Sequence, residues 1–210
     1  MNDEDKVAFA TAFYPAADIT PPEFEGFVVQ LLDSIGAATD SPPVVTLHEK
    51  IQGPDGTYDF DATVRFDWAG MHFLVIVEAK RHKNPIKREL VQVLHDKLRS
   101  VGAQKAIMIS TAPYQTGALH YAKAHGVALA TVTEGRFTVE TRSKNGPPPL
   151  TRHQARSQFD LPDFVAHAYL PGQEPGTTSV LLLSAQDPDN VVEVLTSSTH
   201  TVEESEDEQP

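Results

Sequence analysis

Two carboxylates and a lysine stand at a spacing that suits one kind of chemistry. Asp61 lies in one stretch of alternating residues, and Glu78 and Lys80 stand two apart in the next. Side chains at i and i+2 of a strand share a face, so Glu78 and Lys80 are expected side by side. If Phe66 opposes Met71 across the hairpin joining the stretches, Asp61 falls opposite Ile76 and Asp59 opposite Glu78. Asp59, Asp61, Glu78 and Lys80 then emerge on one face. Hard anionic oxygens suit Mg²⁺, which takes few protein ligands and keeps waters and phosphate oxygens, and the Ala79 carbonyl offers a further ligand. A bound Mg²⁺, or Mn²⁺ in its place, polarises a phosphodiester and helps generate hydroxide. Lys80 would set an ammonium beside the attacking water and the phosphate. The chemistry implied is in-line hydrolysis of a phosphodiester. The bland alternative, a solvated ion pair of Lys80 with Glu78 or Asp61, stabilises little and leaves unexplained why charges cap an otherwise apolar strand.

Periodicity shows the elements that must position these groups. Thr57 to Phe66 alternates, with Tyr58, Phe60, Ala62, Val64 and Phe66 on one face and Asp59, Asp61, Thr63 and Arg65 on the other. Met71 to Lys80 returns after the loop Asp67-Trp68-Ala69-Gly70, with Met71, Phe73, Val75, Val77 and Ala79 forming its apolar face. Upstream, Phe24, Phe27, Val28, Leu31, Leu32 and Ile35 predict a helix that enters at Thr20-Pro21-Pro22 and ends at Gly36, and Val44 to Ile51 reads as a strand. Downstream, a helix over Ile86 to Val101 turns Leu90, Val93, Leu94, Leu98 and Val101 inward and Arg88, Gln92, His95 and Arg99 outward. Lys105 to Ser110 is a buried strand, Gln115 to His125 a helix, and Val127 to Thr133 another strand. Strand–helix alternation after an antiparallel hairpin implies an α/β fold: a mixed central sheet, antiparallel hairpin plus parallel crossovers, flanked by helices.

Phe137 to Thr141 is expected to add an edge strand, and Gly146-Pro147-Pro148-Pro149 to end the compact unit. Beyond it a short helix is expected over Pro162 to Leu170, with strands at Ser179 to Ser184 and Val191 to Leu195. The chain divides accordingly into a leader (1–20), a catalytic domain (21–145), a small C-terminal extension (146–198) and an acidic tail (199–210) too poor in apolar residues to order itself.

Composition removes several classes. With 210 residues, 40% hydrophobic and 22% charged, the chain is of ordinary globular make-up, and no cysteine is present to supply a disulfide, a thiol nucleophile or a Cys-based metal site. The nine histidines lack ligand spacing, no glycine-rich phosphate loop for nucleoside triphosphates is present, and no apolar run suggests a membrane anchor or export signal, so a cytoplasmic location is expected. The net charge of −12 would seem to repel nucleic acid. Its distribution says otherwise. Residues 1–20 carry one Lys against four acids, residues 150–210 two Arg against eleven, and the body between is neutral. Within that body, Lys80 to Lys105 holds eight basic residues against Glu89 and Asp96. Arg81, Lys83, Lys87, Arg88 and Arg99 from this stretch are candidate phosphate contacts.

The arrangement Asp61, then Glu78-Ala79-Lys80, resembles the Asp…(Asp/Glu)-x-Lys signature of restriction-endonuclease-like, PD-(D/E)XK nucleases. Phe24-Glu25-Gly26-Phe27-Val28 through Leu32 and Gly36 is similar to the opening helix of their Mrr-type branch. Gly102 to Thr111, Gly117 to Ala122 and His125-Gly126-Val127 are similar to its later half, so that the likeness spans about residues 22–137. The resemblance implies that Asp61 and Glu78 hold the metal, that Lys80 orients or activates water, and that Glu25 assists, although an acid there also suits the helix dipole. It implies a polar active-site role for Gln92, and DNA as substrate. Asp59 and Asp61 both fit the family aspartate; Asp61 is taken, being deeper in the hairpin. The expectation is a Mg²⁺-dependent DNA endonuclease restricting foreign or modified DNA, with a homodimer supplying two sites for double-strand cleavage. The competing expectations are a non-cleaving nucleic-acid-binding or assembly module and a branched-DNA resolvase on the same fold.

Overall fold

Lys105–Ser110 and Ala128–Glu134 are buried at every position, as strands covered on both faces must be, and they form the middle of a seven-stranded sheet. The computed structural model describes residues 16–37, 42–68, 70–135, 151–171 and 178–197. Its strands are β1 (Val44–Gln52), β2 (Thr57–Trp68), β3 (Met71–Lys80), β4 (Lys105–Ser110), β5 (Ala128–Glu134), β6 (Phe164–Pro171) and β7 (Thr178–Leu183). They lie side by side in sequence order. β3, β4 and β5 are parallel, and every other neighbouring pair is antiparallel. The two parallel steps are crossed by α2 (Arg88–Val101) and α3 (Thr116–His125). The other helices are α1 (Pro21–Asp33), followed by a 3₁₀ turn at Ser34–Ala37, α4 (Arg152–Phe159) and α5 (Pro188–Thr196). The expected mixed α/β sheet flanked by helices is the fold observed.

Two cores result. On one face Phe24, Val28, Leu31 and Leu32 of α1 and Val191, Val194 and Leu195 of α5 pack over Val75, Val77, Ile107, Ile109, Ala130 and Ala168. On the other, Val91 and Leu94 of α2 and Ala118 and Ala122 of α3 pack over Phe60, Ile76, Met108 and Leu129. Left-handed glycines end α2 and α3, Gly102 at φ 66° and Gly126 at φ 73°.

The structure corrects several details. Trp68, not Phe66, pairs with Met71, so the hairpin closes over residues 69 and 70, with Gly70 at φ 74° supplying the left-handed position a tight turn needs. Pro162 to Leu170 forms no helix: Phe164–Pro171 is the strand β6, paired along Leu129↔Tyr169 to Glu134↔Phe164 with β5. Val191 to Leu195 is no strand but the core of α5, where Val191, Val194 and Leu195 recur at helical spacing and turn toward the sheet, outweighing the β-preference of valine. Residues placed in a C-terminal extension thus continue the sheet and complete one of its cores. The expected Phe137 to Thr141 strand, the acidic tail and most of the leader lie outside the described residues.

His167 of β6 is 3% exposed and shares a 2.9 Å hydrogen bond through Nε2 with the Thr133 hydroxyl. Burial lowers its pKa from 6.5 to about 4. The unfolded chain binds a proton there below about pH 6.5, whereas the folded chain binds it only near pH 4, so stability falls as pH drops through that window. The thermal midpoint should therefore decline from pH 6.5 to 4, and less steeply in His167→Gln; parallel declines would remove His167 as the cause.

Candidate active site

The site is built where two strands part. Pairing of β2 with β3 runs from Trp68↔Met71 to Ala62↔Val77 and stops. β2 then continues to Thr57 against β1, while β3 continues to Lys80 against β4. Continuing the register by one places Asp61 level with Glu78, two residues from the expected match with Ile76, because the hairpin loop is two residues shorter. Asp61 fills the fork: its Oδ2 accepts the Ala79 backbone N–H at 2.8 Å, where a ladder bond would otherwise stand.

The alternation of β2 breaks at the same point. Tyr58 and Phe60 pack on the α2 face, whereas Ala62, Val64 and Phe66 pack on the α1 face. The expected single apolar face from Tyr58 to Phe66 is therefore split. Level with Asp61 on β1, between the pairs Leu47↔Ala62 and Glu49↔Phe60, His48 adopts φ 49°. That left-handed conformation costs a non-glycine residue about 1 kcal/mol. Asp61 consequently reaches into the inter-strand gap rather than standing in one row with Asp59, Glu78 and Lys80. Asp59 is exposed and pairs with Lys50 at 3.6 Å, apart from the fork's interior.

Glu78 and Lys80 do share a face, on the side of Ile76 and α2. The Lys80 ammonium donates to Glu78 Oε1 and the Lys97 ammonium to Glu78 Oε2, at 3.2 Å for the latter. The chain after Lys80 is pinned by Thr111. Its N–H donates to the Lys80 carbonyl at 3.1 Å, and its hydroxyl accepts from the His82 N–H at 3.1 Å and donates to the His82 carbonyl at 3.0 Å. Ile86 N–H donates to the Pro113 carbonyl at 2.8 Å, fixing the entry to α2.

On the α1 side a cavity of about 180 Å³ opens beside Asp61, lined by Glu25, His48, Ala79 and Arg81 among apolar residues including Phe24, Val28 and Leu47. Two nearby acids of α1 differ in use. Glu23 closes the helix entrance, its Oε2 accepting from the Thr20 N–H at 2.8 Å and hydroxyl at 2.6 Å, contacts that hold its pKa below the ordinary value. Glu25 instead lines the cavity. Arg81 also lines it, with its Nε donating to the Ile19 carbonyl at 2.8 Å. Lys83, Lys87, Arg88 and Arg99 are exposed, and Gln92 is half-buried. Arg88 lies over the Tyr121 ring at 5.1 Å, so its guanidinium is partly committed to α3.

Sequence reasoning left out Lys97 and His48. Lys97 had a signal: with Leu90, Leu94 and Val101 it completes the i, i+4, i+7, i+11 row that faces the sheet. Val93, expected inward, is 56% exposed. His48 had none, since nothing in its neighbours announces a left-handed residue within a strand.

Among the described residues no three His, Cys, Asp or Glu gather as a ready-made metal cage. A hard cation such as Mg²⁺ requires less, one or two carboxylates with waters and phosphate oxygens. The carboxylates of Asp61, in the fork, and of Glu78, on the α2 side, with the backbone carbonyl of Ala79, are donors of the kind such a cation takes. Glu78 would have to exchange an ammonium for the cation.

The protein is thus a mixed sheet flanked by helices, forked at an aspartate beside a Glu-x-Lys strand. The family model for the Mrr catalytic domain, described as restriction endonuclease, matches residues 16–134, and the chain belongs to that family of nucleases. No curated protein matches it. A similar solved structure is the crystal structure of a protein of unknown function, AF1548, at 19% identity and TM-score 0.41 over 50% of this chain and 55% of that one. The chain thus spans about half the length of that protein.

The Asp61 hydrogen bond separates a structural from a chemical role. Asp61→Ala leaves the Ala79 N–H without its acceptor and should lower the unfolding free energy by about 1–3 kcal/mol, whereas Asp61→Asn keeps an oxygen and should lose less than about 1 kcal/mol. Urea titration of the three proteins checks this; equal losses would show that the bond does not hold the fork.

Proposed function

We propose that this chain is a Mg²⁺-dependent DNA endonuclease that acts in restriction of foreign or modified DNA, in defence against phage. The observation that supports this best is the fork, in which Asp61 is hydrogen-bonded to the strand carrying Glu78 and Lys80. Asp61, Glu78 and the Ala79 carbonyl would hold the metal, which when bound would supply Lewis-acid polarisation of the scissile phosphate. Mn²⁺, another oxygen-preferring divalent cation, would suit the same donors.

Lys80 exchanges its partner Glu78 for the attacking water and a phosphate oxygen, and its charge offsets the negative charge that develops on phosphorus oxygens during attack. Glu25, beside Asp61 in the α1-side cavity, assists by accepting hydrogen bonds from water there. Arg81, Lys83, Lys87, Arg88 and Arg99 with Gln92 form the DNA-facing surface, and contacts of this kind position the duplex without reading its sequence. Two copies of the chain place a site on each strand, and the cytoplasm is where the enzyme would meet incoming DNA. Residues 21–145 carry the chemistry in this reading. No helix among the described residues is long and apolar enough to cross a membrane.

The non-cleaving reading retains one point in its favour: both Glu78 oxygens are engaged by ammonium groups. Supercoiled plasmid and linear DNA, modified and unmodified, incubated with Mg²⁺ or EDTA decide between the two. Metal-dependent nicking should fall at least about 100-fold in Lys80→Ala and in Asp61→Asn. DNA binding without cleavage under every condition would favour the non-cleaving module instead.

A further inference from the structure

We propose that Lys97, on the crossover helix α2, is a positioning residue of the cleavage site that holds Glu78 in place and ties α2 to both arms of the strand fork. The proposal rests on the reading of Asp61, Glu78 and Lys80 as that site.

Three contacts carry it. The Lys97 ammonium donates to Glu78 Oε2 at 3.2 Å, on β3. It donates to the Asp59 carbonyl at 3.1 Å, on β2. It also lies 5.5 Å from the centroid of the Phe60 ring, again on β2. One ammonium therefore bridges the strands where their own ladder has ended.

The position is a costly one for a lysine. Lys97 stands in the row of α2 that faces the sheet, and its side chain is only 22% exposed, against 13% for Glu78. An apolar residue there would pack on Phe60 without losing hydration of a charge, so packing alone does not call for lysine. The carboxylate does. Lys80 engages Oε1 and Lys97 engages Oε2, so the two ammonium groups divide the two oxygens.

The division matters because the two lysines differ in what else they must do. In that reading Lys80 would turn to water and phosphate, which would free Glu78 Oε1 as a donor. Lys97, reaching in from α2, has its other contacts on β2 and holds Oε2, which fixes the carboxylate plane when Oε1 is freed. A glutamate held at one oxygen presents the other without searching rotamers, and that pre-organisation favours a bound cation.

The test compares Mn²⁺ binding to the full chain, measured by electron paramagnetic resonance in the absence of DNA, with plasmid cleavage over a Mg²⁺ series. Lys97→Met should weaken Mn²⁺ binding about 5-fold or more, raise the half-saturating Mg²⁺ concentration by a similar factor and lower kcat about 10-fold. Lys97→Arg, which restores a cationic donor, should recover most of each loss. A Lys97→Met protein with a lower thermal midpoint but native Mn²⁺ affinity would reduce Lys97 to a packing role and overturn the proposal. Tighter Mn²⁺ binding with undiminished cleavage would overturn it too, by making Lys97 a competitor of the cation. Glu78→Gln separates this failure from that of the underlying reading. If native protein binds Mn²⁺ and Glu78→Gln does not, the site stands whatever Lys97 does. If neither the native protein nor Glu78→Gln binds Mn²⁺, the site reading fails and the proposal with it.

Discussion

A single hydrogen bond, from the Ala79 N–H to Asp61, occupies the place where the β2–β3 ladder ends. A sheet that stops pairing leaves backbone donors and acceptors facing a gap, and half-buried groups of that kind need partners. Asp61 satisfies one from its side chain and thereby brings a carboxylate into the gap. The strands part where this one residue stands between them. The left-handed His48 on β1 and the change of face along β2 accommodate the distortion from the outer side.

Around the fork the charges are arranged in pairs rather than as a cluster. Glu78 lies between two lysines, Arg81 is tied to the Ile19 carbonyl, and Arg88 rests on Tyr121. Glu78, Arg81 and Arg88 thus each have a protein partner of modest strength. Such partners cost little to exchange, and they restrict where these long side chains lie. The acidic balance of the whole chain is compatible with this, since the excess acids lie toward the two ends and the fork is served by α2 and the chain that leads into it.

Much of the fold was legible because its signals are local. The limits of β3 and β4 follow from apolar runs, α1 to α3 from helical spacing, and the parallel crossovers from the order of elements. The Glu78–Lys80 pair was legible for the same reason, since period-2 alternation survives to the end of β3. The register of the hairpin was not, because a four-residue and a two-residue loop fit the same string and both end at Gly70. The shared face of Asp61 with Glu78 failed for a deeper reason: alternation is a property of a regular strand, and the site sits where the strand ceases to be regular. Lys97 was passed over as one basic residue among eight, although its place in the inward row set it apart from Arg99. The valines of α5 and the alternating alanines of β6 were misread because their fate depends on β5 and the core they meet, which no local window contains.

The segment that carries the family likeness ends at residue 134, at the last residue of β5. The sheet does not end there. β6 covers the open side of β5, and α5 lays Val191, Val194 and Leu195 into the same core as Leu31, Leu32 and Ile35. The segment matched by the family thus shares its interior with residues that lie beyond it. A change of volume or polarity at Val191, Val194 or Leu195 is therefore felt in the same core that packs on Val75 and Val77 of β3, the strand that carries Glu78 and Lys80.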